Sequence, residues 1–177
     1  MNTTQLIILC AGTVLLVFLS WHISLKDKRY HGIARFFAFE CILILCLLNY
    51  PHWFRDPLST KQLFSWFFLC LSIYPAVAGV VLLRSEGKPE DNLEKTVCLV
   101  TTGIYHYIRH PMYLSLLLLG LGIMLKRPGF WQLLLAGINI IALVITARME
   151  EKEMQMRFGD DYSRYMKDTK MFIPFVF

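Results

Sequence analysis

Apolar residues fall in long blocks along this chain, separated by short polar stretches. Five apolar runs stand out, at roughly 4–25, 33–50, 62–83, 111–126 and 129–149. A helix needs about 20 such residues to cross about 30 Å of hydrocarbon. The first, third and fifth runs meet that length. The second is slightly short and carries Glu40, and the fourth is shorter still. The fourth meets the fifth through Lys126-Arg127-Pro128-Gly129, which predicts a tight helical hairpin, tilted or not fully spanning. The pattern predicts an all-α integral membrane protein: a single membrane domain over 1–177, five transmembrane helices, a helix 4–5 hairpin and a cytoplasmic C-terminal helical tail.

The remaining segments refine this outline. The first five residues carry no positive side chain and no small-x-small site closes the first run, so a retained helix is expected there, not a cleaved signal. The stretch "RSEGKPEDNLEKT" (84–96) is charged and turn-rich, as a solvated connector is. In the tail, the fifth helix should continue past its apolar run. Gly159 is the expected stop, a second short helix follows at about 160–168, and "MFIPFVF" should pack back on the bundle or lie in the interface. No internal repeat is visible.

Composition agrees with a membrane class: 56% of residues are hydrophobic and 14% aromatic, against about 45–50% apolar for soluble domains. The net charge of +5 does not point to nucleic acid, because the basic residues sit in short loops between apolar runs. Lys26, Lys28, Arg29 and Arg35 share one side with Arg84, Lys88, Lys95 and Arg109, and with the tail residues Arg148, Lys152, Arg157, Arg164, Lys167 and Lys170. Only Arg55, Lys61, Lys126 and Arg127 fall on the other. Positive charge gathers on the cytoplasmic side, so the N-terminus is expected outside and the tail inside. The five cysteines (10, 41, 46, 70 and 98) have no regular spacing and four lie in apolar runs, where they read as buried small hydrophobes. His106 and His110 are four apart, but Pro111 disfavours helix at His110 and no third ligand is adjacent, so no metal is expected.

The densest polar cluster is "GIYHYIRHPMY" (103–113), at the threshold of the fourth run. Pro111 suits the first position of a helix, where a missing N–H costs nothing. Arg109 and His110 then stand at a positive helix mouth, a setting for an anion such as a ligand carboxylate. The competing reading has Arg109 snorkelling to headgroups and the tyrosines forming an interfacial belt. Glu150, Glu151 and Glu153 follow the fifth run. Near a helix C-terminus they oppose the dipole, partly offset by Arg148, Lys152 and Arg157, and a ligand explains them better. Glu40 needs a partner or a proton in an apolar helix, through a structural bond or a substrate contact, and Asn139 reads as interhelical glue.

Taken together, "LVTTGIYHYIRHPMY" (99–113), the hairpin, and "EEKEMQMRFGDDYSRYMKDTKMFIP" (150–174) resemble the isoprenylcysteine carboxyl methyltransferase family, within the wider phospholipid methyltransferase-like group. The shared pattern is L-V-x-x-G-x-Y-x-x-x-R-H-P-x-Y, two helices, then E-E-x(6)-F-G-x-x-Y-x-x-Y ending in Pro. The resemblance implies an S-adenosylmethionine-dependent methyltransferase acting on a lipid or lipidated acceptor, with three N-terminal helices in 1–83 and a cofactor-binding half in 84–177. Carried onto this sequence, Val100, Thr101, Gly103 and Tyr105 would line the cofactor, His110 and Tyr113 would enclose it, and Glu150 with Glu151 would bind its polar half. Arg109 would hold a carboxylate of cofactor or acceptor, and Glu150 is the candidate base. The family often carries Arg three residues before the final Pro, where this chain has Met171, and Lys152 interrupts the acidic pattern. The N-terminal half carries no motif match. Sterol reductases share a similar C-terminal pattern on about twice as many helices.

Three classes of acceptor stay open at this point: a prenylated-cysteine carboxyl, a phospholipid amine, and a small thiol or other lipophile. Two non-methyltransferase readings stand beside them, a membrane scaffold with a vestigial site and a proton or solute pathway around Glu40.

Overall fold

Four stretches of this chain are long and apolar enough, as helices, to cross a membrane. In the computed structural model, which describes residues 2–89 and 96–174, these are Thr3–Asp27, His31–His52, Thr60–Ser85 and Phe130–Asp168. They contain helices α1 (Thr3–Ile23), α2 (His31–Asn49), α3 (Thr60–Ser85) and α5 (Phe130–Asp168). Between α3 and α5 lies α4 (Pro111–Leu125), which at about 1.5 Å per residue reaches only about 22 Å. Among the described residues there are no strands, only isolated bridges at Pro89–Thr96 and Ile108–Lys170. Residues 90–95 of the connector 84–96 and the last three residues of "MFIPFVF" lie outside the described residues.

Local chemistry sets the helix ends. Asn2 caps α1: its side chain accepts the Gln5 N–H at 2.9 Å, and Gln5 Oε1 accepts the Asn2 N–H at 2.9 Å, a reciprocal capping box. Pro111 opens α4 and the His110 carbonyl accepts the Leu114 N–H, as expected of a proline at the first helical position. Gly159 interrupts α5 with φ +55 and ψ −126, a conformation other residues adopt only under strain. The short helix expected at 160–168 is the segment beyond this break.

The chain groups into two compact units, one of Met1–Cys70 with Leu117–Thr146, the other of Leu71–Leu116 with Ala147–Phe177. Each unit draws on residues from both halves of the chain.

In the first unit, α1 lies against α2 where Gly12 has no side chain; a Cβ there would sit 2.6 Å from Leu43. Thr13 Oγ1 donates to Glu40 Oε1 at 2.7 Å, so Glu40 has a structural partner. Asn139 Nδ2 donates to the Ala38 carbonyl at 3.0 Å, which is the interhelical bond its position suggests. Ser65 Oγ donates to the Gly122 carbonyl at 2.6 Å. Asn49 bonds the Ile123 carbonyl and accepts from Gln132, closing the ends of α2, α4 and α5 together.

Burial corrects two expectations, for Lys126 of this unit and for the cysteines. Lys126, counted among the loop charges, is 1% exposed. Its Nζ lies 3.4 Å from the centroid of Trp66 and 5.4 Å from that of Trp53, and donates to Gln62 Oε1 at 3.0 Å. The aromatic faces supply the negative potential that a buried ammonium requires. The cysteines are all free thiols, but only Cys41 is buried; Cys10 and Cys70 lie on outward helix faces and Cys98 in the exposed loop. Outward faces of a membrane helix meet lipid, so a thiol need not be buried to be in apolar surroundings.

In the second unit, α3 and the start of α4 approach at Gly79, where a Cβ would meet Met112 at 3.1 Å and Pro111 at 3.2 Å. A short 3-10 turn, Gly103–His106, precedes α4. Beyond Gly159 the chain returns to this turn, and Met171 and Phe172 are buried.

Candidate functional site

The segment Tyr107–His110 runs beside residues 166–171 through main-chain bonds. Arg109 N–H donates to the Lys170 carbonyl at 2.8 Å, His110 N–H to Met171 at 3.1 Å, and Lys170 N–H to Tyr107 at 3.2 Å. This pairing aims two consecutive side chains, Arg109 and His110, at Glu150 and Glu151 of α5. The expected association of the two sequence blocks is therefore present inside one unit.

Arg109 is almost fully engaged by the chain itself. Its Nε donates to Glu151 Oε1 at 2.6 Å, and its Nη1 donates to the Thr169 carbonyl at 2.5 Å, with longer contacts to Thr169 Oγ1 and the Met166 carbonyl. Nη2 makes no bond to the described residues. The carboxylate held by Arg109 is thus that of Glu151, and both side chains are less than a tenth exposed. Burial alone pushes the Glu151 carboxyl up; contacts and charge from His110 and Arg109 outweigh it and hold it below the ordinary carboxylate range.

Glu150 is the more open of the pair, with 20% of its side chain exposed. Its Oε1 accepts a short hydrogen bond from the Tyr113 hydroxyl. The His110 ring stacks on Tyr113 at 5.5 Å between centroids and leans on Phe172 at 6.0 Å. Its Nδ1 is 3.7 Å from Glu150 Oε2 and its Nε2 3.4 Å from Glu151 Oε1. Each contact is ionic only with a protonated ring; Nε2 is buried without a hydrogen-bond partner among the described residues.

These contacts revise the account of the acids. They lie two turns before the break at Gly159, not at the end of α5, so opposition to its dipole is small. They lie instead at the mouth of α4, where His110 and Tyr113 meet them. The anion at that helix N-terminus is the protein's own carboxylate pair. Arg109 and the His110 ring face the two carboxylates.

The other expected residues are spread along the approach to α4. Val100 is buried and Thr101 exposed, and no hydrogen bond joins either to the cluster among the described residues. Gly103 has φ +56 and a Cβ there would lie 2.7 Å from Leu82, so this position requires glycine. Tyr105 is buried, its hydroxyl on the Gly79 carbonyl at 3.4 Å, and burial foremost pushes its phenol up. His106 and Tyr107 are exposed, which suits the interfacial role left to Tyr107. Sequence reasoning did not single out Thr169 or Tyr165, although Tyr165 is the last tyrosine of F-G-x-x-Y-x-x-Y. Their contacts depend on a return of the chain that no local pattern announces.

Residues 61–161 match the phospholipid methyltransferase family model. The protein-S-isoprenylcysteine O-methyltransferase of Schizosaccharomyces pombe is 30% identical over 155 residues, covering 77% of this chain and 63% of that protein. The methanethiol S-methyltransferase of Crocosphaera subtropica is 27% identical over 84 residues, 43% of this chain and 29% of its own length. A methanethiol S-methyltransferase of Bradyrhizobium diazoefficiens is 30% identical over 71 residues, 40% of this chain and 24% of its own. The chain spans less than two thirds of the length of each of these relatives.

Proposed function

Because the chain belongs to the phospholipid methyltransferase family, we propose that it is an integral membrane methyltransferase that uses S-adenosylmethionine to methylate a lipophilic acceptor at the cytoplasmic face. Its acceptor is most like the carboxyl of an isoprenylated cysteine. In this reading α4 joins the other four helices as a fifth span, the α4–α5 pair forms a hairpin, the N-terminus is outside and the tail cytoplasmic.

The observation that carries the proposal is the buried cluster of Glu150, Glu151, Arg109, His110 and Tyr113, with two carboxylates to one guanidinium. Arg109 Nη2 makes no bond to the described residues, and Glu150 is the more solvent-facing carboxylate of the pair. Two carboxylates beside a guanidinium with one unengaged nitrogen fit a ligand with a cationic centre and a carboxylate. S-adenosylmethionine is such a ligand and, when bound, supplies an electrophilic methyl on a sulfonium.

The chain's residues supply binding, orientation and dryness. Glu150 and Glu151 favour positive charge, and Arg109 offers Nη2 to a carboxylate of cofactor or acceptor. His110 and Tyr113 form an aromatic wall that limits water, and backbone groups from Val100 to Tyr105 line the adjoining surface. Methyl transfer needs positioning and exclusion of water more than covalent help. An acceptor carboxylate is already ionised at neutral pH and needs no base. An amine or thiol must lose a proton, and Glu150, more open than Glu151, is the acceptor for it.

A small-thiol acceptor is the second reading, favoured by the two methanethiol S-methyltransferase relatives. Against it stands the extent of similarity to the isoprenylcysteine O-methyltransferase, which reaches over 77% of this chain. A scaffold with a vestigial site has no need for a buried ionic cluster with open donors.

Calorimetric titration of S-adenosylmethionine into the purified protein tests the site. Binding is expected, weakened at least about tenfold by Glu150→Ala or His110→Ala. Absence of binding, or equal affinity in both variants, contradicts the assignment.

A further inference from the structure

The turn Gly103–His106 is held from two sides. On one side Gly103 lies against Leu82, and the Tyr105 hydroxyl reaches the Gly79 carbonyl. On the other side stands Tyr165, a residue of the returning tail with no part in the mechanism above.

Hydrogen bonds at both ends of the turn use the Thr102 and Ile104 carbonyls. Thr102 accepts from Tyr105 N–H, and Ile104 accepts from Tyr107 and Ile108 N–H. The Tyr105 carbonyl receives none of these. It accepts instead the Tyr165 hydroxyl, at 2.7 Å. Tyr105 is 6% and Tyr165 8% exposed, so this is a buried acceptor with a single side-chain donor. The Tyr165 carbonyl in turn accepts from Thr169 Oγ1 at 2.6 Å and Thr169 N–H at 3.2 Å. One residue's carbonyl further, Thr169 is the acceptor for Arg109 Nη1. Tyr165 and Thr169 therefore link the turn to the Arg109–Glu151 pair through hydrogen bonds and their own covalent framework.

We propose that Tyr165 is a positioning residue that fixes the backbone of the Gly103–His106 turn in the conformation that receives the methyl donor. The inference rests on the cofactor reading given above. The hydroxyl is directed at a backbone carbonyl, so its role is in ground-state organisation of the site, not in the transfer itself. Without it the Tyr105 peptide is free to reorient while the ring still fills its place. A defect of this type weakens cofactor binding and leaves turnover at saturation intact.

The test is calorimetry with S-adenosylmethionine on the full chain, paired with steady-state kinetics. Tyr165→Phe should raise both the Kd and the KM for S-adenosylmethionine about tenfold, with kcat within about threefold of wild type. Without ligand, the Tyr105, Tyr107 and Ile108 amides should exchange faster than in wild type. Tyr165→His, which keeps a ring and an N–H donor, should bind within about threefold of wild type. Unchanged affinity in Tyr165→Phe overturns the inference, as does a fall in kcat at constant KM. Should Tyr165→Phe fail to fold, the histidine variant decides: affinity near wild type supports the role, and a tenfold loss refutes it. A wild-type chain that binds no S-adenosylmethionine overturns the cofactor reading itself, and the inference with it.

Discussion

The Arg109–Glu151 pair ties the two sequence blocks of the candidate site together by an ion pair. It is buried, short and supported by carbonyls that take up the second guanidinium nitrogen. Breaking such a pair by truncating one partner leaves an uncompensated buried charge and typically costs about 3–5 kcal/mol. Arg109→Ala is therefore expected to lower the thermal unfolding midpoint well beyond the effect of a surface arginine substitution. A midpoint within a degree or so of wild type would show the pair to be dispensable. The pH dependence has a definite sign. Glu151 is held below its ordinary range when folded, so its ionisation stabilises the fold above the unfolded carboxyl value and this contribution is lost as pH falls through the folded value. The stability difference between wild type and Glu151→Gln should be full at neutral pH and shrink in acid. Growth of that difference in acid would contradict the assignment. At this scale much was legible: the residue types at 109, 110, 113, 150 and 151 announce ionic chemistry. What was not legible is the partner of each. Arg109 and Glu151 are 42 positions apart, and nothing local tells a guanidinium that it will meet a carboxylate of its own chain rather than of a ligand.

Helices were readable because membrane-length apolar runs are long and Pro111 and Gly159 mark two of their boundaries. Both behave as their chemistry requires, whereas the Asn2 cap was not read from the sequence. Gly159 is the more consequential, because the segment beyond it carries Tyr165, Thr169 and the main-chain partners of Arg109 and His110. Gly159→Ala meets open space but an unfavourable backbone conformation, at a cost of about 1–3 kcal/mol. It should destabilise the protein and weaken S-adenosylmethionine binding together; an alanine variant with wild-type affinity and midpoint would mean that the break is not required. Lys126 marks the limit of pattern reading. A lysine beside Arg-Pro-Gly at a helix end is ordinarily a solvated loop charge, and only the convergence of Trp53, Trp66 and Gln62 makes burial tolerable. Trp66→Ala removes packing and the cation's aromatic partner, so it should cost about 3–5 kcal/mol, more than Lys126→Met, which removes cage and charge need together. Thermal unfolding of the two variants checks this, and the reverse order would show that the ammonium contributes more than the ring.

For the whole molecule, four helices among the described residues are long and apolar enough to cross a membrane, and the polar cluster lies within one compact unit. The ordered pair of motifs anticipated family membership, which the match over residues 61–161 establishes. The acceptor was not legible, and for a physical reason: methyl transfer asks little of specific side chains, so acceptor choice rests on the shape of apolar surfaces that leave no motif. The central claim is that this chain transfers methyl groups through the Glu150–Glu151 cluster. The most direct measurement incubates the purified protein with radiolabelled S-adenosylmethionine and a membrane extract, alongside Glu150→Ala, and follows where label is covalently retained. Label on a lipid-soluble or prenylated acceptor with wild type, falling at least about tenfold with the variant, is the predicted result. Absence of transfer, or equal transfer by both proteins, would contradict it.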